Sequence, residues 1–151
     1  MQKLQLPDYP FRIREKEGKK LIFDEFRHRW VVLTPEEWVR QHFVKYLVAE
    51  KQFPGTLIAV EKKVVINGLS QRFDLLVYDR MGKPLLVGEF KAPGVPVSQA
   101  AFNQALRYNS ALMAPFFLVS NGLNHYLCRI DFENHHTVYL RDIPLFGELA
   151  G

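Results

Sequence analysis

The segment from 84 to 119 constrains the fold more than any other part of the chain. Pro84-Leu85-Leu86-Val87-Gly88-Glu89-Phe90-Lys91 reads as a strand with apolar residues around its charged end, which places it centrally in a sheet. Pro93-Gly94-Val95-Pro96 breaks the pattern. A helical stretch from 98 to about 113 follows, with Ala101, Gln104, Tyr108 and Ala111 along one face, and then the buried strand Phe116-Phe117-Leu118-Val119. A strand, a helix and a second strand need a crossover, so one strand pair is expected to be parallel.

The flanking segments complete an α/β pattern. Thr34 is an N-cap, Pro35 the first helical residue and Glu37 the partner in a capping box. Val39, Phe43, Tyr46 and Leu47 recur at helical spacing until Pro54-Gly55 stops the helix. Strands at 57–66, 72–78 and 84–91, joined by Asn67-Gly68 and by the turn at 79–83, form an antiparallel meander. Strands at 125–130 and 137–140 follow the turn at Asn121-Gly122. Before the helix, the charged turn Lys16-Glu17-Gly18-Lys19-Lys20 separates extended runs at 11–14 and 21–23, a hairpin, and Trp30-Val31-Val32-Leu33 is a short apolar run leading into the helix. The expected architecture is a mixed β-sheet flanked by helices, with that N-terminal hairpin. One domain covers 1–151: an extension at 1–33 and a core at 34–133.

A length of 151 residues suits one hydrophobic core. No apolar run approaches the roughly 20 residues that span a bilayer. The first residues do not read as a signal peptide, and Cys128 is the single cysteine. The expectation is a cytoplasmic protein that avoids membranes. A net charge of +4 and a pI near 9.2 are compatible with a polyanionic partner.

Three residues carry the chemistry. Period-two alternation puts Glu89 and Lys91 on one face of their strand. Pairing through the turn at 79–83 brings Asp74 towards Glu89. Two neighbouring carboxylates repel unless a cation lies between them, and Mg²⁺ accepts one or two carboxylates plus waters. Such an ion neutralises a phosphate and lowers the pKa of water, while Lys91 orients or deprotonates that water. The alternative is a pair of solvated carboxylates bridged to Arg72 and Lys91; from these residues alone the two readings weigh about equally. The His125, Cys128, Asp131, His135 and His136 group gives little support for zinc, because His125 and Cys128 alternate across their strand.

Phe73-Asp74, the spacer, and Glu89-Phe90-Lys91 resemble the PD-(D/E)xK nuclease pattern, with Phe in place of the proline. Gln104-Ala105-Leu106-Arg107-Tyr108 resembles the Q-x-x-x-Y element that follows in a subset of that superfamily. An ordered set is similar to the N-terminal nuclease domain of type I restriction enzyme R subunits: Leu33-Thr34-Pro35-Glu36-Glu37-Trp38-Val39-Arg40-Gln41, Arg72 to Asp79, Glu89-Phe90-Lys91-Ala92-Pro93, and Asn121-Gly122. The resemblance implies a restriction-endonuclease-like fold and cleavage of DNA with Mg²⁺, or Mn²⁺ in its place, to 5′-phosphate products. Asp74 and Glu89 become metal ligands, Lys91 the catalytic lysine, Gln104 a catalytic support, and Gln104, Arg107 and Tyr108 DNA contacts. A helical acid often joins such sites. Glu36 is chosen over Glu37, because Glu37 has the capping role and Glu36 shares a face with Val39 and Phe43. R subunits continue into motor domains, whereas this sequence holds no G-x-x-x-x-G-K-[ST] loop. The expectation is a standalone relative or one piece of a larger system, with motor or modification subunits as partners and homodimerisation as in relatives that cut both strands. A catalytically idle nucleic-acid-binding or assembly module is the rival reading, and a toxin or defence nuclease a third.

Overall fold

The computed structural model describes residues 1–150. The N-terminal hairpin, β1 (Ile13–Lys16) and β2 (Lys19–Asp24), is joined by β3 (Arg29–Val32) in an antiparallel three-stranded sheet. The apolar run at Trp30 is therefore a third strand. Helix α1 (Pro35–Lys51) follows. The main sheet has the order β4 (Ile58–Ile66), β5 (Leu69–Tyr78), β6 (Pro84–Phe90), β7 (Phe116–Ser120), β8 (His125–Asp131), β9 (His136–Leu140). Neighbours pair antiparallel except β6 and β7, which run parallel across the crossover helix α2 (Gln99–Asn109). The chain closes with α3 (Phe146–Ala150), a turn-and-a-half with no capping or periodic signature to announce it; Phe146 stacks edge-on against Phe53 at 5.3 Å.

Each face of the sheet buries one helix. Val39, Phe43 and Leu47 of α1 pack on Leu75, Leu86, Leu118 and Leu127. Phe102 of α2 packs on Phe73, Val87, Phe117 and Cys128 on the other side. Full burial of each such side chain stabilises by about 1.5–3 kcal/mol, which is why a helix with an exposed outer face stays in place. No helix among the described residues is long and apolar enough to cross a membrane.

The β4–β5 ladder changes face midway. Ile58 and Val60, opposite Val77 and Leu75, pack on the α1 side. Val64, Ile66 and Phe73 pack on the α2 side. All these residues are in phase in the sequence and would share a face on a regular strand. The change falls at Glu61, whose φ of 51° is left-handed, a conformation a glutamate adopts at a cost of about 1 kcal/mol or more. Because Val60 pairs with Leu75 and Lys62 with Phe73, Glu61 stands opposite Asp74.

The first residues are part of the core. Leu4 is buried among α1-side residues, and Gln5 N–H donates to Gly122 O at 2.8 Å. Gly122 has φ +85°, and a Cβ there would lie 2.7 Å from Leu4.

Candidate active site

Asp74 and Glu89 are brought together by the end of the β5–β6 ladder. Leu75 pairs with Gly88, and beyond that pair the carboxylate of Asp74 replaces backbone pairing: Phe90 N–H donates to its Oδ2 at 2.8 Å. Gly88 fits here because a Cβ would sit 3.0–3.1 Å from Leu75. Glu89 follows Val87 onto the α2 face, and Lys91 Nζ donates to Glu89 Oε1 at 3.2 Å. Both side chains are only part-buried. Arg72, Phe73, Asp74, Gly88, Glu89, Tyr108 and Asn109 line one shallow hollow.

Burial pushes the Asp74 carboxyl above its ordinary pKa. The Phe90 N–H and the Arg40 guanidinium oppose that rise, and the charges of Glu61 and Glu89 add to it. Asp74 thus lies in a pocket that disfavours its own charge.

The α1 acids are placed differently from expectation. Glu36 is exposed, and Glu37 is 5% exposed. The inward stripe of the helix start runs through Glu37, Arg40, Gln41 and Val44, one position on from Glu36. Thr34 Oγ1 accepts from Glu37 N–H at 3.0 Å, so half of the capping box forms. The Glu37 carboxylate does not close it. It accepts from Arg27 Nη2 at 2.7 Å, from Gln41 Nε2 at 2.9 Å, and from Arg40. Arg40 also pairs with Glu61, and Arg72 Nη1 lies 3.6 Å from Glu61. Asp24 pairs with Arg27 at the far end. This ion-pair ladder, from the small sheet through α1 to the residue facing Asp74, links distant segments of the sequence, and Arg40 and Glu61 have no local signature in it.

On α2 the buried face is Phe102, Ala105, Leu106 and Asn109. Gln104 and Arg107 are exposed outside the hollow, and Tyr108, 55% exposed, forms part of its rim. The structure therefore brings together Asp74, Glu89, Lys91 and Tyr108, and leaves Glu36, Gln104 and Arg107 apart from them. Asn109 and Arg72 join the lining. Asn109 Nδ2 donates to Ala105 O, which fixes it against the helix. His125 and Cys128 do lie on opposite faces, one ring-to-ring with Phe43 and the other in the α2-side core.

The donor set suits a hard divalent cation. Two carboxylates from adjacent strands meet at one hollow, one of them desolvated and unfavourably charged, and Mg²⁺ takes two carboxylates with waters completing its shell. Among the described residues no three His, Cys, Asp or Glu side chains gather closely enough to ligate one ion, so Asp74 and Glu89 are the acidic side chains the hollow offers.

A family model described as type I restriction enzyme R protein N terminus (HSDR_N) matches residues 35–144. No curated protein matches the sequence. Among solved structures, the fold is similar to a fragment described as an HsdR subunit of a type I restriction enzyme from Vibrio vulnificus YJ016, with a TM-score of 0.56 and 23% identity. The match covers 78% of this chain and 24% of that one, so the chain spans about a quarter of the fragment's length. The six-stranded mixed sheet flanked by helices thus belongs to a fold similar to that fragment's, consistent with a restriction-endonuclease-like architecture.

Proposed function

The chain belongs to the family of type I restriction enzyme R protein N termini, and from that premise we propose that it is a metal-dependent DNA endonuclease domain of the PD-(D/E)xK kind. One observation carries the reading: Asp74 and Glu89 converge on one hollow with Lys91 beside them, and desolvation raises the pKa of the part-buried Asp74 carboxyl there. Asp74 and Glu89 would hold Mg²⁺ or Mn²⁺, which would supply neutralisation of phosphate charge and a lower pKa for water. The Phe90 N–H fixes the direction of Asp74. Lys91 orients the attacking water and meets the negative charge that builds on the phosphoryl oxygens. The water oxygen attacks phosphorus in line as the P–O3′ bond breaks; the water gives up a proton to solvent and the departing O3′ takes one from solvent, leaving a 5′-phosphate and a 3′-hydroxyl. Tyr108 and Arg72 on the rim, with Gln104 and Arg107 farther along α2, contact the strand. Glu36 lies on the solvent side of α1 and takes no part, and Glu37 is committed to two arginines. The domain works in the cytoplasm with motor or modification subunits of a restriction system.

Incubation of supercoiled plasmid with Mg²⁺ or Mn²⁺ tests this. Nicking by the wild type that falls at least about 100-fold in both Lys91→Ala and Asp74→Ala is the expected result. No nicking together with no Mn²⁺ binding by calorimetry would sink it. The reading then favoured is an idle DNA-binding or assembly module.

A further inference from the structure

The outward face of the N-terminal sheet, outside the segment matched by the family, is built from cations and aromatic rings. Directly opposed residues of paired strands share a face. The registers Arg14↔Leu21↔Val32, Phe23↔Trp30 and Lys16↔Lys19 therefore define one side, to which Arg12, bonded through its carbonyl to Phe23 N–H, also belongs. Ile13↔Ile22↔Val31, Glu15↔Lys20 and Asp24↔Arg29 define the other. Ile22 and Asp24 are buried, so the second side faces the protein.

The charges divide unequally. On the inward side every lysine or arginine stands opposite an acid: Glu15 faces Lys20, and Asp24 faces Arg29. On the outward side Arg12, Arg14, Lys16 and Lys19 are exposed, no strand residue is acidic, and Lys16 stands opposite Lys19. Like charges directly opposed in a ladder destabilise it. Among the described residues none of these four makes an ion pair, although Arg27, Arg40, Arg72, Lys45 and Lys91 all do. The two arginines are nonetheless held in place. Arg14 lies 4.2 Å from the Trp30 ring centre, and Arg12 lies 4.6 Å from that of Phe23 and 5.3 Å from that of Trp30. A guanidinium stacked on a ring keeps its N–H edges free, in the geometry that grips a phosphate.

We propose that this face binds the phosphate backbone of DNA. The proposal rests on DNA being the substrate, and it deepens that reading by naming where the strand is held away from the cut. An unpaired positive face with fixed guanidinium planes is complementary to a regular row of phosphates. An acidic protein tail would offer charge without that spacing.

The test uses the full chain in EDTA, where cleavage is silent, so binding is read independently of the nuclease reading. Fluorescence anisotropy of a labelled DNA duplex is measured across a salt series for the wild type and for Arg12→Gln/Arg14→Gln/Lys16→Gln/Lys19→Gln. Each phosphate contact contributes about 0.9 to the slope of log affinity against log salt. The expected result is a slope shallower by about 3.6 in the quadruple variant and a roughly tenfold or greater loss of affinity. Circular dichroism confirms that the variant stays folded. If it does not fold, the pair Lys16→Gln/Lys19→Gln, which removes a repulsive contact, is expected to lose about 2 from the slope instead. A slope and affinity equal to wild type would overturn the proposal whether or not the plasmid is cut. Poly-glutamate displacing the duplex as effectively as an unlabelled duplex of equal charge concentration would also overturn it, in favour of a face for acidic proteins.

Discussion

At the residue scale the chemistry of the site turns on Asp74. Its pKa in the folded protein is raised chiefly by burial, so the folded state holds its proton more tightly than the unfolded chain does. Stability therefore falls as pH rises from the ordinary aspartate value near 3.9 through the raised value, and the penalty is complete above it. Asp74→Asn keeps an oxygen for the Phe90 N–H and removes the charge. Its Tm should exceed the wild type's at neutral pH and converge with it near pH 4, and added Mg²⁺ should raise the Tm of the wild type alone. Parallel melts at the two pH values decide this; a variant less stable than wild type at pH 7 would contradict it. Glu-x-Lys and its partner aspartate were visible in the sequence because alternation and a short turn are local rules. The Glu36 and Glu37 choice was not. It depends on Arg27 and Arg40 converging on one carboxylate, and Arg27 arrives from another element.

At the scale of elements, α1 is anchored by charge as well as by its apolar stripe. Arg40 bridges Glu37 and Glu61 in a nearly dry setting, whereas the Lys45–Glu25 pair is largely exposed. Arg40→Ala leaves buried Glu37 short of a partner and should cost about 3–5 kcal/mol. Lys45→Ala should cost no more than about 1 kcal/mol. Urea denaturation of both variants reads the contrast, and equal losses would show that the ladder carries no weight. Strand order, the meander and the parallel β6–β7 pair follow from Asn67-Gly68, the turn at 79–83 and the break after Lys91, so this part of the topology was legible. The face change at Glu61 was hidden: Ile58, Val60, Val64 and Ile66 share one parity, interrupted only by Lys62, and a left-handed backbone at a glutamate has no local signature. Strand β3 was read only as an apolar run because four residues with one tryptophan give too short a period to assign.

At the scale of the whole molecule, the N-terminal segment is a packed component. Leu4 fills the α1-side core beside Gly122, and Trp38 Nε1 donates to Gln2 O at 2.8 Å. Leu4→Ala should destabilise by about 2–5 kcal/mol. Gly122→Ala should do so by at least about 1–2 kcal/mol, since it pays for a left-handed φ and collides with the same leucine. Because the two residues touch, the double variant should lose less than the sum of the singles, a non-additivity that a thermodynamic cycle measures.

The geometry of the β5–β6 hairpin also bears on the order in which the molecule assembles. Asp74 and Glu89 meet through the short turn at 79–83, a closure that costs little chain entropy, whereas the parallel partner of β6 returns only after the whole α2 crossover. The two like charges are therefore neighbours early, while the hairpin is still open to water and counter-ions. Their repulsion is met where solvent screens it best, and the loss of hydration at Asp74 is deferred until α2 docks, so the electrostatic strain of the site enters as one of the last events of folding.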